Sequence, residues 1–355
     1  MDLKLFKYLI LLLIFLFAIL NELISQEAQE PQEESINKYR MVKNPEGTDF
    51  WLCFMKNFNE PEQNYGENEL KLELFITADE DANVTVEIKS INFKKEVFVP
   101  GNSVKNVKID PLAQIISSER IERDAAVHVT SDNPVSVYGL NRRFQTTDTY
   151  LGLPKRVLGT EYRVISYTVS DGLMPEFAIV ATEDQTTVRI TPTANTQIYP
   201  YQKANHLYHE AGQEYKLTLN KGDVYQVAAR YEPGKSCDLT GSRIRADKKI
   251  AVFSGHQCAY VPQRIIACNH LVEQVPPVPS WGKHFFLGDL QPRSKYTYRV
   301  LADKDSTKVF ENQRFVTMLK AGEFYERTVN SEIQVVADKP ILVSQYSQGF
   351  RNGDS

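Results

Sequence analysis

Leu70-Lys71-Leu72-Glu73-Leu74-Phe75-Ile76 alternates apolar and polar positions for most of its length, and so does Tyr296-Thr297-Tyr298-Arg299-Val300-Leu301. A period of two puts successive side chains on opposite faces, so both segments predict half-buried strands. Each runs into an acidic turn and a β-branched run, which together predict a hairpin. The turns are Ile76-Thr77-Ala78-Asp79-Glu80-Asp81 and Val300-Leu301-Ala302-Asp303-Lys304-Asp305, and a third stands at Val180-Ala181-Thr182-Glu183-Asp184.

The unit therefore occurs three times, and other landmarks keep step. The openings are Gly47-Thr48-Asp49-Phe50, Gly159-Thr160-Glu161-Tyr162 and Gly282-Lys283-His284-Phe285. The closings run Val129-Thr130-Ser131-Asp132-Asn133-Pro134-Val135, Ile244-Arg245-Ala246-Asp247-Lys248-Lys249-Ile250 and Val335-Val336-Ala337-Asp338-Lys339-Pro340-Ile341. Asp-Lys-Pro at 338–340 predicts a second turn, because Pro presets φ and Asp caps a bend. The repeats span about 47–143, 159–261 and 281–349, each of roughly 70–115 residues with seven or eight strands. The one helix candidate covers 112–123. Units of that size predict an all-β fold, propeller-like with two blades per repeat or, alternatively, a row of tandem β-sandwiches.

Composition agrees. The 355 residues are 42% hydrophobic and 24% charged, with 18 Tyr and 18 Phe against 2 Trp. Aromatic and β-branched residues suit pleated surfaces. The formal net charge of -4, without a Lys/Arg stripe, speaks against a nucleic-acid partner. Lys4 and Lys7 precede the apolar run 8–20, which is shorter than the roughly 20 residues of a membrane span. It predicts a signal peptide over 1–25, with an uncleaved anchor as the only route to a membrane. The acidic stretch 26–46 predicts a disordered lead-in, and 350–355 a tail or truncation point.

Export permits disulfides among Cys53, Cys237, Cys258 and Cys268. Cys53 in Trp51-Leu52-Cys53-Phe54 reads as a buried thiol, with pairing to Cys237 as the other reading. His256-Gln257-Cys258 and Cys268-Asn269-His270 are symmetric about one centre. In a hairpin the cysteines would face each other, the histidines would face each other, and all four would share a face. Three readings are open: a Cys258–Cys268 disulfide in an exposed hairpin with flanking histidines, a zinc site of His256, Cys258, Cys268 and His270, or buried thiols with surface histidines. The oxidising compartment favours the first.

Other chemistry is sparse. The acidic turns offer calcium ligands, although Asp also favours turns for its own backbone bonds. Ser254-Gly255-His256 sets a Ser beside a His without a third partner. Glu273-Gln274 near Trp281 are candidates to line a cleft. Asn83-Val84-Thr85 is a glycosylation pattern. No cofactor is called for.

Several segments in combination resemble the N-terminal domain of IgGFc-binding proteins. They include Gly139-Leu140-Asn141, Thr146-Thr147-Asp148, Tyr150-Leu151 and Asp238-Leu239-Thr240-Gly241-Ser242. Phe253-Ser254-Gly255-His256-Gln257-Cys258-Ala259, His270-Leu271-Val272-Glu273-Gln274 and Gln345-Tyr346-Ser347-Gln348-Gly349 extend the likeness over about 47–349. Cys258 and Cys268 match positions where the family carries cysteine. The resemblance implies an extracytoplasmic, non-enzymatic binding or adhesion module for protein or glycan ligands. An extracellular polymer hydrolase and a structural spacer are the alternatives. No binding residue carries over from the family.

Overall fold

Three long strands organise the chain, and each is the third landmark of its repeat. A computed structural model describes residues 45–58, 69–169, 172–198, 209–290 and 293–349. The expected signal peptide, most of the lead-in and the tail lie outside these residues. The first repeat contributes β1 (Gly47–Leu52), β2 (Lys71–Ala78), β3 (Ala82–Ile88), β4 (Phe93–Val99), β5 (Ser103–Ile109), β6 (Arg120–Glu122), β7 (Val127–Arg143) and β8 (Thr146–Leu151). The second contributes β9 (Gly159–Arg163), β10 (Pro175–Ala181), β11 (Thr186–Thr191), β12 (Thr196–Gln197), β13 (Tyr215–Leu219), β14 (Val224–Ala229), β15 (Arg243–Ala259) and β16 (Asn269–Gln274). The third contributes β17 (Gly282–Leu287), β18 (Tyr296–Ala302), β19 (Thr307–Glu311), β20 (Arg314–Leu319), β21 (Phe324–Val329) and β22 (Ile333–Ser347).

Each repeat is one sheet built on its long strand, except that β6 of the first repeat joins the second sheet. The orders are β4-β3-β7-β2-β5, β12-β14-β10-β15-β11-β13 and β20-β19-β22-β18-β21. The first half of β7 pairs with β1 and β3, and its second half with β2 and β8. One strand thus serves two half-sheets that curl about a common core. This is the tandem-sandwich arrangement, not a pair of separate four-stranded blades. A blade pair would need a break between blades, and the long strand supplies continuity instead.

The predicted turn at 338–340 is not a turn. Asp338, Lys339 and Pro340 lie inside β22, where the strand changes partners. The register shows why. Between Asp49 and Gly47 the long strand advances from Thr130 to Val135, between Glu161 and Gly159 from Arg245 to Ile250, and between His284 and Gly282 from Val336 to Ile341. The surplus residues form the same bulge in all three repeats, and a bulge tolerates Pro and sharpens strand twist.

The acidic turns brace that bulge. Asp132, Asp247 and Asp338 accept the backbone N–H of Asn83, Thr187 and Lys308 at 2.7, 2.9 and 2.8 Å. Asp81, Asp184 and Asp305 accept from Gly101, Lys221 and Ala321 at 2.8, 3.0 and 2.9 Å. These carboxylates are thus engaged in turn chemistry rather than gathered as cation ligands.

The helix expected over 112–123 is absent. A 3-10 turn at Pro111–Ala113 gives way to β6, which pairs with β14 of the second sheet. Ile115, Ile116 and Ile121 do not make a helical face, because the segment is drawn across to another repeat.

Each repeat also closes its predecessor. Ala178, Val180, Val224, Ala251, Phe253 and Val272 face away from their own core and join the core of the first repeat. Leu301 does the same for the second. Strands β10 and β18 are consequently buried along their full length. That explains the unbroken apolar run from Phe177 to Ala181, as expected of a strand covered on both faces.

Candidate functional site

The disulfide hairpin grows from the end of β15. Cys258 and Cys268 are bonded, with Cα atoms 5.1 Å apart, while Cys53 and Cys237 are free and buried. The register is not the symmetric one. Gly255 pairs with Val272, His256 with Leu271 and Ala259 with Asn269, so the two histidines are not opposed. Pro262 has no N–H to offer a ladder. On its far side β16 is fixed by β8: Thr146 Oγ1 accepts His270 N at 2.9 Å and Asp148 Oδ2 accepts Val272 N at 2.9 Å.

Neither histidine is a surface residue, and both are fully buried. His256 Nε2 donates to Thr168 O at 3.0 Å, and its Nδ1 accepts Cys258 N at 3.0 Å. His270 Nδ1 donates to His256 O at 2.9 Å, which leaves its Nε2 a bare acceptor without a partner among the described residues. These tautomers follow from the bonding partners. Burial pulls the pKa of His256 down to about 3 and that of His270 to about 4. Both imidazoles are neutral, as burial in a low dielectric requires. The zinc set is not assembled, since both sulfurs are committed to the disulfide and His256 has both ring nitrogens engaged.

Beside the hairpin lies a cleft of about 910 Å³, walled mainly by the second and third repeats, with Gln145 and Asp148 of the first at its edge. Asp148, Cys268, His270, Glu273, Arg293 and Tyr346 are among its lining residues. The pKa of Asp148 is pushed up to about 6 by burial, although its carboxylate accepts Val272 N and Thr149 N. That of Glu273 is pushed up to about 7, by burial first and by the charge of Asp148 second. Glu273 has exposed surface, but that surface faces the cleft, where protein displaces much of the bulk water. Both carboxyls are thus held above the ordinary carboxylate range. Glu273 was legible as a cleft residue. Asp148 was not, because its neighbour in space stands 125 positions away in sequence. Gln274 turns inward instead, and its Oε1 accepts Leu153 N at 2.7 Å.

The third sheet reaches this wall through buried arginine. Arg299 Nη1 donates to Ser166 O, Asp238 Oδ2 and Thr240 Oγ1, each at 2.8 Å, and its Nε donates to Glu326 Oε2 at 2.7 Å. Its guanidinium lies between the rings of Tyr167 and Phe324, 4.2 and 4.3 Å from their centroids. Nothing in the local alternation marked Arg299 as buried, since it occupies the polar position of its strand.

Other candidates separate. Ser254 Oγ accepts Ile165 N at 3.3 Å while His256 bonds to Thr168, so the two share no bond. Asn83 is exposed, and its amide donates to Asp132 Oδ2 at 2.7 Å. Elsewhere, Glu176 is fully buried, with its pKa raised by burial against the opposing pull of Lys56 and Gln257.

A sequence model described as IgGFc binding protein matches residues 148–355. The human IgGFc-binding protein is 30% identical over 300 residues, which is 83% of this chain and 5% of that relative. The chain thus spans a small part of the curated relative. No solved structure matches. Asp148, the disulfide hairpin and Glu273 all fall within the matched region. With the family model matched over more than half of its length, the chain belongs to the IgGFc-binding family.

Proposed function

We propose that this chain is a secreted or cell-surface adhesion module that takes a protein or glycan ligand in the cleft beside the disulfide hairpin. The observation that carries this is the cleft itself: about 910 Å³ where the repeats meet, with apolar wall and a few convergent polar groups. Of its lining residues, Cys268 is held by the disulfide and Ser166 by Arg299, so little ordering is required on binding. Residues 1–25 direct export, and 26–46 lead into the repeats. The relative's name records binding to immunoglobulin Fc, so Fc is the first protein to test.

The test is direct binding of purified chain to Fc, mucin and a glycan array, repeated with Glu273→Lys. A ligand retained by the wild type and lost from the variant supports the cleft. Binding that ignores the variant places the ligand elsewhere. Retention of nothing favours a spacer.

The raised Asp148 and Glu273 favour one second reading, hydrolysis of an extracellular polymer with Glu273 as acid. Turnover of labelled polysaccharide that disappears in Glu273→Gln would establish it.

A further inference from the structure

The third repeat leaves open, among the described residues, a seat that is filled in the first two. Register makes Trp51, Arg163 and Phe286 equivalent, since they pair with His128, Arg243 and Gln334 at the same place on the long strands. In the first two repeats the next repeat sits on this residue. Trp51 is 4% exposed, with Lys221 Nζ 5.3 Å from its ring centroid. The carbonyl of Gly222, in the same turn, accepts Ala126 N at 3.0 Å. Arg163 is 8% exposed, and its Nε donates to Asp303 Oδ1 of the third repeat at 2.6 Å. There Gly322 crosses Gly241 so closely that a Cβ on Gly241 would meet its carbonyl oxygen at 2.1 Å.

Phe286 is 79% exposed. The segments after the other two, Leu52 to Met55 and Val164 to Tyr167, are buried, whereas Gly288 and Asp289 are exposed. Glu332 stands where Ala126 and Gly241 stand, two residues before the register partner, and it too is exposed. The same backbone seat, filled twice within the chain, is thus open among the described residues at its third occurrence.

We propose that this seat docks a further repeat of the same fold through a glycine turn that bears a lysine. The two internal junctions set the chemistry. Lysine meets an aromatic ring in one, and acid meets arginine in the other. A seat of Phe286 beside Glu332 and Asp289 matches the first kind, because a lysine can cover the ring and face the carboxylates. A second copy of this chain is a poor match. Among the described residues its free turn belongs to the first repeat and presents Asp79, Glu80 and Asp81, all exposed, to an acidic seat. The contact is heterologous and so extends as a row rather than closing on itself.

The probe is the full chain with the second repeat's turn residues placed in the first: Asp79→Thr, Gly101→Lys and Asn102→Gly. By light scattering its mass should rise with concentration, by about twofold or more. Adding Phe286→Glu should return it to monomer. A probe that melts like the wild type yet stays monomeric overturns the proposal, and so does association that survives Phe286→Glu. Wild-type chain that associates through Phe286 overturns the choice of partner. If the probe does not fold, a second variant decides. Phe286→Arg with Glu332→Gly recreates Arg163 and Gly241 at exposed positions and should pair with Asp79 of another molecule. Its mass should rise likewise and fall back with Asp79→Asn. A monomer here overturns the proposal as well.

Discussion

Arg299 of the third repeat and Asp238 of the second form an ion pair, Nη1 to Oδ2 at 2.8 Å, with 3% and 8% of their side-chain surfaces exposed. The pair spans two sheets and holds one wall of the cleft. A buried ion pair is weak evidence for net stability, since two charges must leave water. Removing one partner is another matter, because the other is left buried and uncompensated.

Arg299→Leu should therefore cost about 3–5 kcal/mol in denaturant unfolding. Arg299→Lys should recover only part of this, since an ammonium cannot reach Ser166, Asp238, Thr240 and Glu326 in a planar fork. A lysine variant with wild-type stability would show that charge, not geometry, holds the junction.

Cys258→Ser or Cys268→Ser should lower stability by about 2–3 kcal/mol, from the loop entropy of their separation of 10 residues. The fold should survive, because the three cores lie elsewhere. Wild-type protein melted with reductant should match the variants, and a large difference between the two would assign the loss to the serine instead.

The carboxyl pair gives stability a pH dependence of definite sign. Asp148 and Glu273 have raised pKa values in the folded chain, about 6 and about 7. The folded state thus binds protons more tightly, and its advantage is complete below the ordinary carboxylate range and lost as pH rises through those values. Glu273→Gln should leave stability unchanged near about pH 4 and raise it near about pH 8. Denaturation midpoints at the two pH values measure this, and equal shifts at both would refute the pair.

The histidines act in the opposite sense. Their folded pKa values are lowered to about 3 and about 4, so their contribution is present above the ordinary value of 6.5 and lost as pH falls toward 4. NMR titration should find neither imidazole protonating as pH falls from 7 toward those lowered values. Titration near the ordinary value would place them in water.

The sequence alone determined the strands, the threefold repeat and the family. Alternation at Leu70–Ile76, turn chemistry at Asp79, Asp184 and Asp305, and the recurring openings are local or periodic signals. They can be read without knowing any distant contact. The cysteine spacing likewise supported a short disulfide loop. Tertiary structure alone decided the rest. Asp338-Lys339-Pro340 reads as a turn by propensity, but a strand shared by two half-sheets absorbs it as a bulge. His256 and His270 look symmetric, but Thr146 and Asp148 hold β16 from outside the hairpin and move the register. Asp148 meets Glu273, and Arg299 meets Asp238, only because successive repeats stack. Such pairings join residues far apart in the chain, and their energies depend on burial that no local pattern records.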